Sequence, residues 1–241
     1  MTRRSTAIAL VVLLLTPAAP ARAATVFRVF ATREGLVGGQ TANQHVIRER
    51  DHFVALPSRR ALSPQRNGAF TVRVCATNGR CEWAPVWDVG PWNTKDDYWS
   101  EDREAWPDLP TGLPQAQAAY QDGHNEGRDQ FGRAVTSPAG IDLADGTFWD
   151  GLRLNTNAWV SVLFLWTTPG PFGTVRSTVS VRNGPTSAAA EVGVAAEFAQ
   201  VPIMCALSGE QVGGSDTWYR ISTAKYLAAA HVTDAPDAPR C

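Results

Sequence analysis

The sequence predicts a mainly β protein with a larger N-terminal unit and a small C-terminal one. Short segments rich in Val, Phe and Trp recur along the chain, and apolar and polar residues alternate over residues 71–75, as in half-buried strands. Residues 167–173 contain two prolines and two glycines, which interrupt strands. We therefore expect one unit over residues 24–168, a linker at 169–175 and a second unit at 176–241.

Local sequence signals predict the individual helices and strands. Pro at 114 and Gly at 123 suit the start and end of a helix, and a second short helix is expected at 145–152. Residues 93–139 otherwise form a long insertion rich in Asp, Glu, Pro and Trp, and loops of that length are usually functional or disordered. The predicted strands are 25–32, 53–56, 70–76, 80–88 and 159–166 in the first unit, and 179–181, 201–205, 217–221 and 226–227 in the second.

The N-terminus has the pattern of a secretory signal peptide. Arg3 and Arg4 precede an apolar run from Ala7 to Leu15, and small residues follow at 21–23. A transmembrane anchor is the alternative, but a spanning helix needs about 20 apolar residues. We expect residues 1–23 to be removed and the mature protein to be secreted. The choice between the general and the twin-arginine export route stays open.

Charge and composition exclude several classes of function. The formal net charge is −1, and it becomes −4 without residues 1–23, which hold three arginines and no acid. An acidic chain is a poor partner for nucleic acid. The mature chain contains no second long apolar segment, so no membrane span is predicted in it. No nucleotide-binding glycine loop, serine-nucleophile elbow or metal-ligand spacing occurs, so no cofactor or metal is predicted. The oligomeric state is left open.

The four cysteines predict two disulfides, because an even number of cysteines in an exported chain indicates that they are paired. Four cysteines allow three different pairings. Cys75 and Cys81 flank a Thr-Asn-Gly turn, and a hairpin with that turn places them directly opposite each other. Cys205 and the terminal Cys241 remain as the second pair. A metal site is disfavoured, because no two cysteines have the usual spacing.

Four motifs in order resemble the double-psi β-barrel of rare lipoprotein A, bacterial expansins and barwin-like proteins. They are Gly-Gln-Thr-Ala-Asn at 39–43, Phe-Val-Ala-Leu-Pro at 53–57, Asp-Val-Gly-Pro at 88–91 and Ile-Asp-Leu at 141–143. The resemblance covers residues 25–167. It implies a six-stranded double-psi barrel with a groove for polysaccharide, and cell-wall polysaccharide such as peptidoglycan as the partner.

Residues 176–233 resemble a bacterial Src-homology-3-type domain. The pattern is Val-Ser-Val-Arg-Asn-Gly-Pro at 179–185, Gly-Gly at 213–214 and Trp-Tyr-Arg-Ile at 218–221. The resemblance implies a small five-stranded barrel, and such domains in secreted bacterial proteins are often wall-targeting modules.

In the barrel family two aspartates line the groove, and they match Asp88 and Asp142. Cleavage of a glycosidic bond needs a carboxylic acid that protonates the leaving oxygen, and often a second carboxylate opposite it. The alternatives are a turn residue for Asp88 and a carboxylate that caps backbone N–H groups for Asp142. The sequence departs from the family pattern in two places: no histidine stands in register before Leu-Pro, and Ala144 replaces a serine.

Three of the nine tryptophans lie in or beside polar loops and are candidates for sugar-stacking surfaces: Trp92, Trp99 and Trp106. The tryptophans on predicted strands are expected in the core. Residues 122–127 are rich in oxygen ligands, but they lack the spacing of a calcium loop, which favours a solvated acidic loop.

The expected function is that of a secreted, cell-wall-associated protein that binds, and in one version remodels, peptidoglycan or another polysaccharide. One alternative is an enzyme of the lytic transglycosylase kind that uses Asp88 and Asp142. The other is a non-catalytic scaffold that presents residues 93–139 to a protein partner.

Overall fold

A computed structural model describes residues 25–241, so the predicted signal peptide lies outside the described residues. Within the described part, no helix is long and apolar enough to cross a membrane. The helices are α1 (Gln115–Asp122), a π-helix (Gly146–Gly151), a short turn of helix (His124–Gly127) and 3₁₀ turns at Arg59–Ala61, Leu165–Thr167 and Ala229–His231. The strands are β1 (Val26–Arg33), β2 (Val54–Leu56), β3 (Thr71–Cys75), β4 (Cys81–Val89), β5 (Ala139–Leu143), β6 (Ala158–Phe164), β7 (Phe172–Val175), β8 (Val179–Arg182), β9 (Glu191–Ala195), β10 (Gln200–Pro202), β11 (Cys205–Val212), β12 (Ser215–Ser222), β13 (Lys225–Ala228) and β14 (Val232–Thr233).

The first six strands close into a barrel, in the order β1-β6-β3-β4-β2-β5 and back to β1. The pairs β1·β5 and β2·β4 are parallel, and the other four pairs are antiparallel. Inward-facing apolar side chains fill the barrel, among them Val29, Leu56, Val74, Ile141 and Phe164, all without exposed surface. The prediction of a mainly β protein with a six-stranded barrel is thereby confirmed.

The strands of the C-terminal unit form two sheets. Strands β8, β9, β11, β12 and β13 extend the barrel sheet, because β9 pairs in parallel with β4. Gly193 permits this pairing, since a Cβ there would lie 1.9 Å from the carbonyl oxygen of Cys81. Strands β10, β7 and β14 form a separate sheet. Strand β7 occupies residues 172–175 of the predicted linker, and buried Trp83 of β4 packs in the same apolar cluster as the C-terminal strands.

Both predicted disulfides are present. Cys75 and Cys81 are directly opposed in the β3·β4 hairpin, as the Thr-Asn-Gly turn predicts, and they are bridged. Cys205 at the start of β11 is bridged to Cys241, and the tail also pairs with the sheet through Ala206 and Arg240.

The 93–139 insertion is folded and packs against the barrel. Tyr98 has no exposed surface, and its hydroxyl donates to the carbonyl of Gly140 at 3.1 Å. Buried Asp96 pairs with buried Arg103 and also accepts from the backbone N–H of Gln115 at 2.7 Å. That last contact anchors the start of α1. The helix ends before Gly123, whose φ is 70°, so the helix predicted from Pro114 and Gly123 is confirmed.

Candidate functional site

Asp88 and Asp142 are brought together by the barrel. Ala55 on β2 pairs with Asp88 of β4 on one side and with Asp142 of β5 on the other, and Asp142 pairs in turn with Thr32 of β1. Residues directly opposite each other on paired strands point to the same face. Thr32, Asp142, Ala55 and Asp88 therefore form one line across four strands, here named the acid row. Its two aspartates lie two strand spacings apart, about 10 Å between Cα atoms.

A β-bulge aims Asp88 into this row. Along β2·β4 the partners change from Val54–Val86 to Ala55–Asp88, so β4 advances two residues for one on β2. Val54 and Val86 both face the barrel core, and without the extra residue Asp88 would follow Val86 inward by simple alternation. Bulges of this kind commonly re-aim a side chain beside a functional site. A second register shift lies in the β1·β5 pair, where the partners change from Phe30–Ala139 to Ala31–Ile141, so β5 advances two residues for one on β1.

The carboxylate of Asp88 is held by backbone donors. The N–H of Ala42 donates to Asp88 Oδ1 at 2.8 Å, and the N–H of Val89 donates to the same oxygen at 2.7 Å. Ala42 belongs to the Gly-Gln-Thr-Ala-Asn motif, which thus closes over the row. N–H donors stabilise a carboxylate in its charged form.

Asp142 is placed so that its proton affinity is high. Burial and, to a smaller extent, the charge of Asp88 raise its pKa to about 6, although the hydroxyl of Thr32, which donates to Asp142 Oδ1, acts in the opposite direction. The segment after β4 passes close to it, since a Cβ on Gly90 would lie 3.8 Å from Asp142 Oδ2. A carboxyl group with such a pKa can give or take a proton near neutral pH.

A third carboxyl group, that of Glu34, adjoins the row. Glu34 follows β1, and its backbone N–H donates to the carbonyl of Leu143 at 2.9 Å. Both side-chain oxygens are buried, and no N–H or O–H group of the described residues donates to them. Burial, together with the approach of the Asp88 carboxyl group and the charges of Asp88, Asp142 and Asp145, raises the pKa of Glu34 to about 10.

An exposed aromatic ring stands beside these acids. Trp149 lies on the π-helix a few residues after Asp142 and keeps 40% of its surface exposed. The Arg33 guanidinium lies 4.7 Å from its ring centroid and donates to Asp145 at 2.7 Å. The Arg50 guanidinium lies 5.8 Å from the same ring. Because Arg33 directly follows Thr32 on β1, its contact with Trp149 places this ring near the Thr32 end of the acid row.

The three tryptophans predicted as stacking surfaces are placed differently. Trp99 was expected at an exposed position, and that expectation is wrong: it is 9% exposed and packs against Phe164 in the barrel core, although it also lines a cavity of about 650 Å³ near the start of β1. Trp92 is partly buried against α1, with Arg133 6.0 Å from its ring. Trp106 packs edge-on against His124. A role of Trp92 or Trp106 in sugar binding stays a prediction.

Other sequence expectations concern metals and histidines. Within residues 25–241, no group of three His, Cys, Asp or Glu side chains is arranged to hold a metal ion. His52, which is offset from the family's histidine position, bonds to buried Glu82 at 3.0 Å rather than to the acid row. His45 bonds to Asp51 at 2.7 Å.

Sequence reasoning missed Glu34 and Trp149. Glu34 follows a strand and precedes Gly35, a position where a charged residue is usually solvated, so nothing in its neighbours indicates burial. Trp149 lies in a short apolar helix that is typical of a core element. Trp149 could have been identified from its position in the sequence, because it comes shortly after the Ile-Asp-Leu motif that contains Asp142.

The fold and the site define a class: a disulfide-containing β-barrel protein that presents a row of carboxyl groups on the outside of a closed six-stranded barrel. A family model described as "Domain of unknown function (DUF8814)" matches residues 25–163, more than half of the chain, and this protein belongs to that family. The match covers the barrel except for the last residue of β6, the whole insertion and every residue of the acid row. No curated protein matches the chain.

Proposed function

We propose that this protein is a secreted, wall-associated protein that binds a polysaccharide, with peptidoglycan as the first candidate, along the acid row. The observation that carries the proposal is the alignment of Thr32, Asp142 and Asp88 on one face of the barrel. Sugar hydroxyls donate hydrogen bonds to carboxylates, and charged acceptors give the stronger bonds. Trp149 adds an apolar face of the kind on which a sugar ring stacks.

The strand pairing supports the finer part of the proposal, that the barrel is of the double-psi type. Its two parallel pairs, β1·β5 and β2·β4, each carry one aspartate at the site. Asp88 ends β4 in the Asp-Val-Gly-Pro motif, and Asp142 lies on β5 in the Ile-Asp-Leu motif, as the resemblance implies. The proposal also takes the C-terminal strands as a Src-homology-3-type module that directs the protein to the wall.

Export is part of the same proposal. Two disulfides and no free cysteine among the described residues fit an oxidising compartment outside the cytoplasm. The pattern of residues 1–23 supports the same location. The mature protein is then expected to begin at Ala24.

A specific observation favours a second candidate, a glycan-cleaving enzyme. Asp88 is held by two backbone N–H groups, whereas burial raises the pKa of Asp142 to about 6. Two carboxyl groups with unlike environments are the arrangement that acid–base cleavage of glycosidic bonds uses. On this alternative Asp142 exchanges the proton, and Asp88 is the second carboxyl group, held in place by its two N–H donors.

The test separates binding from cleavage. The mature protein and the variants Asp88→Asn and Asp142→Asn are incubated with purified peptidoglycan, cellulose and chitin, and both the retained protein and the soluble products are measured. Asp122→Asn, at an exposed position on α1, is the matched control. Retention that falls in both site variants but not in the control, without products, supports binding. Anhydro-sugar products that vanish in the site variants support the enzyme. Neither retention nor products would contradict both candidates and favour the scaffold alternative.

A further inference from the structure

Glu34 stands in a position that requires a bound proton. Its side chain meets the carboxylate of Asp88, and no N–H or O–H donor of the described residues reaches either of its oxygens. Two charged carboxylates in contact repel each other, so such a pair retains one proton between them. Either Glu34 or Asp88 therefore holds this proton.

The hydrogen bonds decide the location of the proton. Asp88 already accepts from the backbone N–H groups of Ala42 and Val89 on one oxygen, and these donors stabilise its charged form. Glu34 has no such donors and is buried, so its charge would be uncompensated. A proton on Glu34 supplies the O–H that the contact with Asp88 needs and leaves the charge on the carboxylate that has N–H donors.

The groups around the pair reinforce this assignment. Asp88 on β4, Asp142 on β5 and Asp145 before the π-helix all place negative charge toward Glu34. Arg33, the residue before Glu34, donates to Asp145 and lies over the Trp149 ring. A charged Glu34 would therefore add a further negative charge beside three acidic side chains.

We infer that Glu34 is a third functional carboxyl of the site: it carries a proton at neutral pH and donates it in a hydrogen bond to Asp88, and so positions the Asp88 carboxylate in the acid row. Glu34 is a positioning residue, since it acts through Asp88. Its role in ligand binding rests on the proposed function, whereas its proton is a property of the protein without any ligand.

The proton is tested by unfolding at several pH values. Below about pH 4.5 Glu34 is protonated in both the folded and the unfolded chain, so Glu34→Gln should match the parent's melting temperature apart from a constant offset. As the pH rises toward 9, the unfolded Glu34 loses its proton while the folded one keeps it, and the parent is destabilised. The melting temperature of Glu34→Gln should therefore rise progressively above that of the parent.

Glu49→Gln, at an exposed position, is the control and should show no such trend. A difference between Glu34→Gln and the parent that stays constant from pH 4.5 to 9 would overturn the inference. Carbon-13 NMR of the Glu34 carboxyl in the parent protein gives a second readout that needs no variant. Its chemical shift should not titrate between pH 5 and 8, and a titration near the ordinary value for glutamate would contradict the assignment.

The positioning role is tested separately with the glycan that the pull-down identifies. Glu34→Gln keeps an N–H donor toward Asp88 and should retain binding at pH 7, whereas Glu34→Leu lacks a donor and should lose it about as fully as Asp88→Asn. Equal binding by both variants would overturn the positioning role. If no glycan binds the parent protein, the proposed function fails, while the unfolding and NMR results still decide whether Glu34 holds the proton.

Discussion

At the scale of residues, the site depends on side chains that the strands place in register. Ala55 is 2% exposed and separates the two aspartates. Asp88 and Asp142 carry the same side chain, yet one is held by backbone N–H groups and the other by a threonine hydroxyl in a more buried place. Their neighbours, rather than their own chemistry, make them unequal.

Trp149 is the residue whose removal tests the stacking surface. We expect Trp149→Ala to weaken binding of the identified glycan by roughly two- to twelvefold, because an aromatic contact contributes about 0.5–1.5 kcal/mol. The ring is exposed, so the melting temperature should change little. Binding isotherms check this.

The matched comparison uses Trp106→Ala, whose ring packs on His124 in the insertion. An equal or larger loss in that variant would move the stacking surface away from the acid row and back to the tryptophan predicted from the sequence.

At the scale of elements, the 93–139 insertion shows how a polar segment can form a folded unit. Asp96 and Arg103 are both buried and paired, and burial raises the pKa of Asp96 to about 6 although Arg103 acts in the opposite direction. The side chain of Tyr98 fills part of the barrel core. The insertion is thus anchored in the barrel core by Tyr98 and Trp99, and the buried Asp96–Arg103 pair stabilises the insertion internally.

Arg103→Leu should therefore destabilise the protein strongly. It leaves the Asp96 carboxylate buried without its cation, and loss of one partner of a buried pair costs about 3–5 kcal/mol. Urea-induced unfolding measures the change. Arg59→Leu, at an exposed site, should cost little.

The double variant Asp96→Asn/Arg103→Leu removes the uncompensated charge and should recover part of the loss. If Arg103→Leu is no more destabilising than Arg59→Leu, the ion pair does not stabilise the fold of the insertion.

Much of this architecture could be predicted from the sequence, for identifiable reasons. The alternation of apolar and polar residues, together with the β-branched residues, predicts most of the barrel strands. The turn between Cys75 and Cys81 predicts one disulfide. Asp88 and Asp142 were found through their motifs. Strand β5 was predicted only as a motif, because five residues with two glycine or alanine positions carry little strand signal.

The rest depends on tertiary contacts. No local signal marks the bulge at Trp87 that turns Asp88 outward, since it arises from pairing with β2. Trp99 lies in a polar stretch, yet the barrel core buries it. The burial of Glu34 depends on strands that are far away in the sequence. Residues 172–175 form strand β7 despite their flanking prolines and glycines, because β10 and β14 pair with them.

At the scale of the whole molecule, the barrel and the C-terminal strands are continuous. Strand β9 pairs with β4, the strand that carries Asp88, and Trp83 of β4 packs among C-terminal apolar residues. Arg80 also bonds to Glu191 at 2.7 Å across this junction. The acid row is thus built on a strand that both units stabilise.

The central claim is that a polysaccharide binds on the acid row. Soluble peptidoglycan fragments are titrated into isotope-labelled mature protein, and the backbone amide and tryptophan indole NMR signals are followed. We expect the largest shifts at Ala42, at the residues of the acid row and at the indole N–H of Trp149, and we expect Asp88→Asn to abolish them. Shifts confined to residues 176–241, or to the surface of the 93–139 insertion, would contradict the claim.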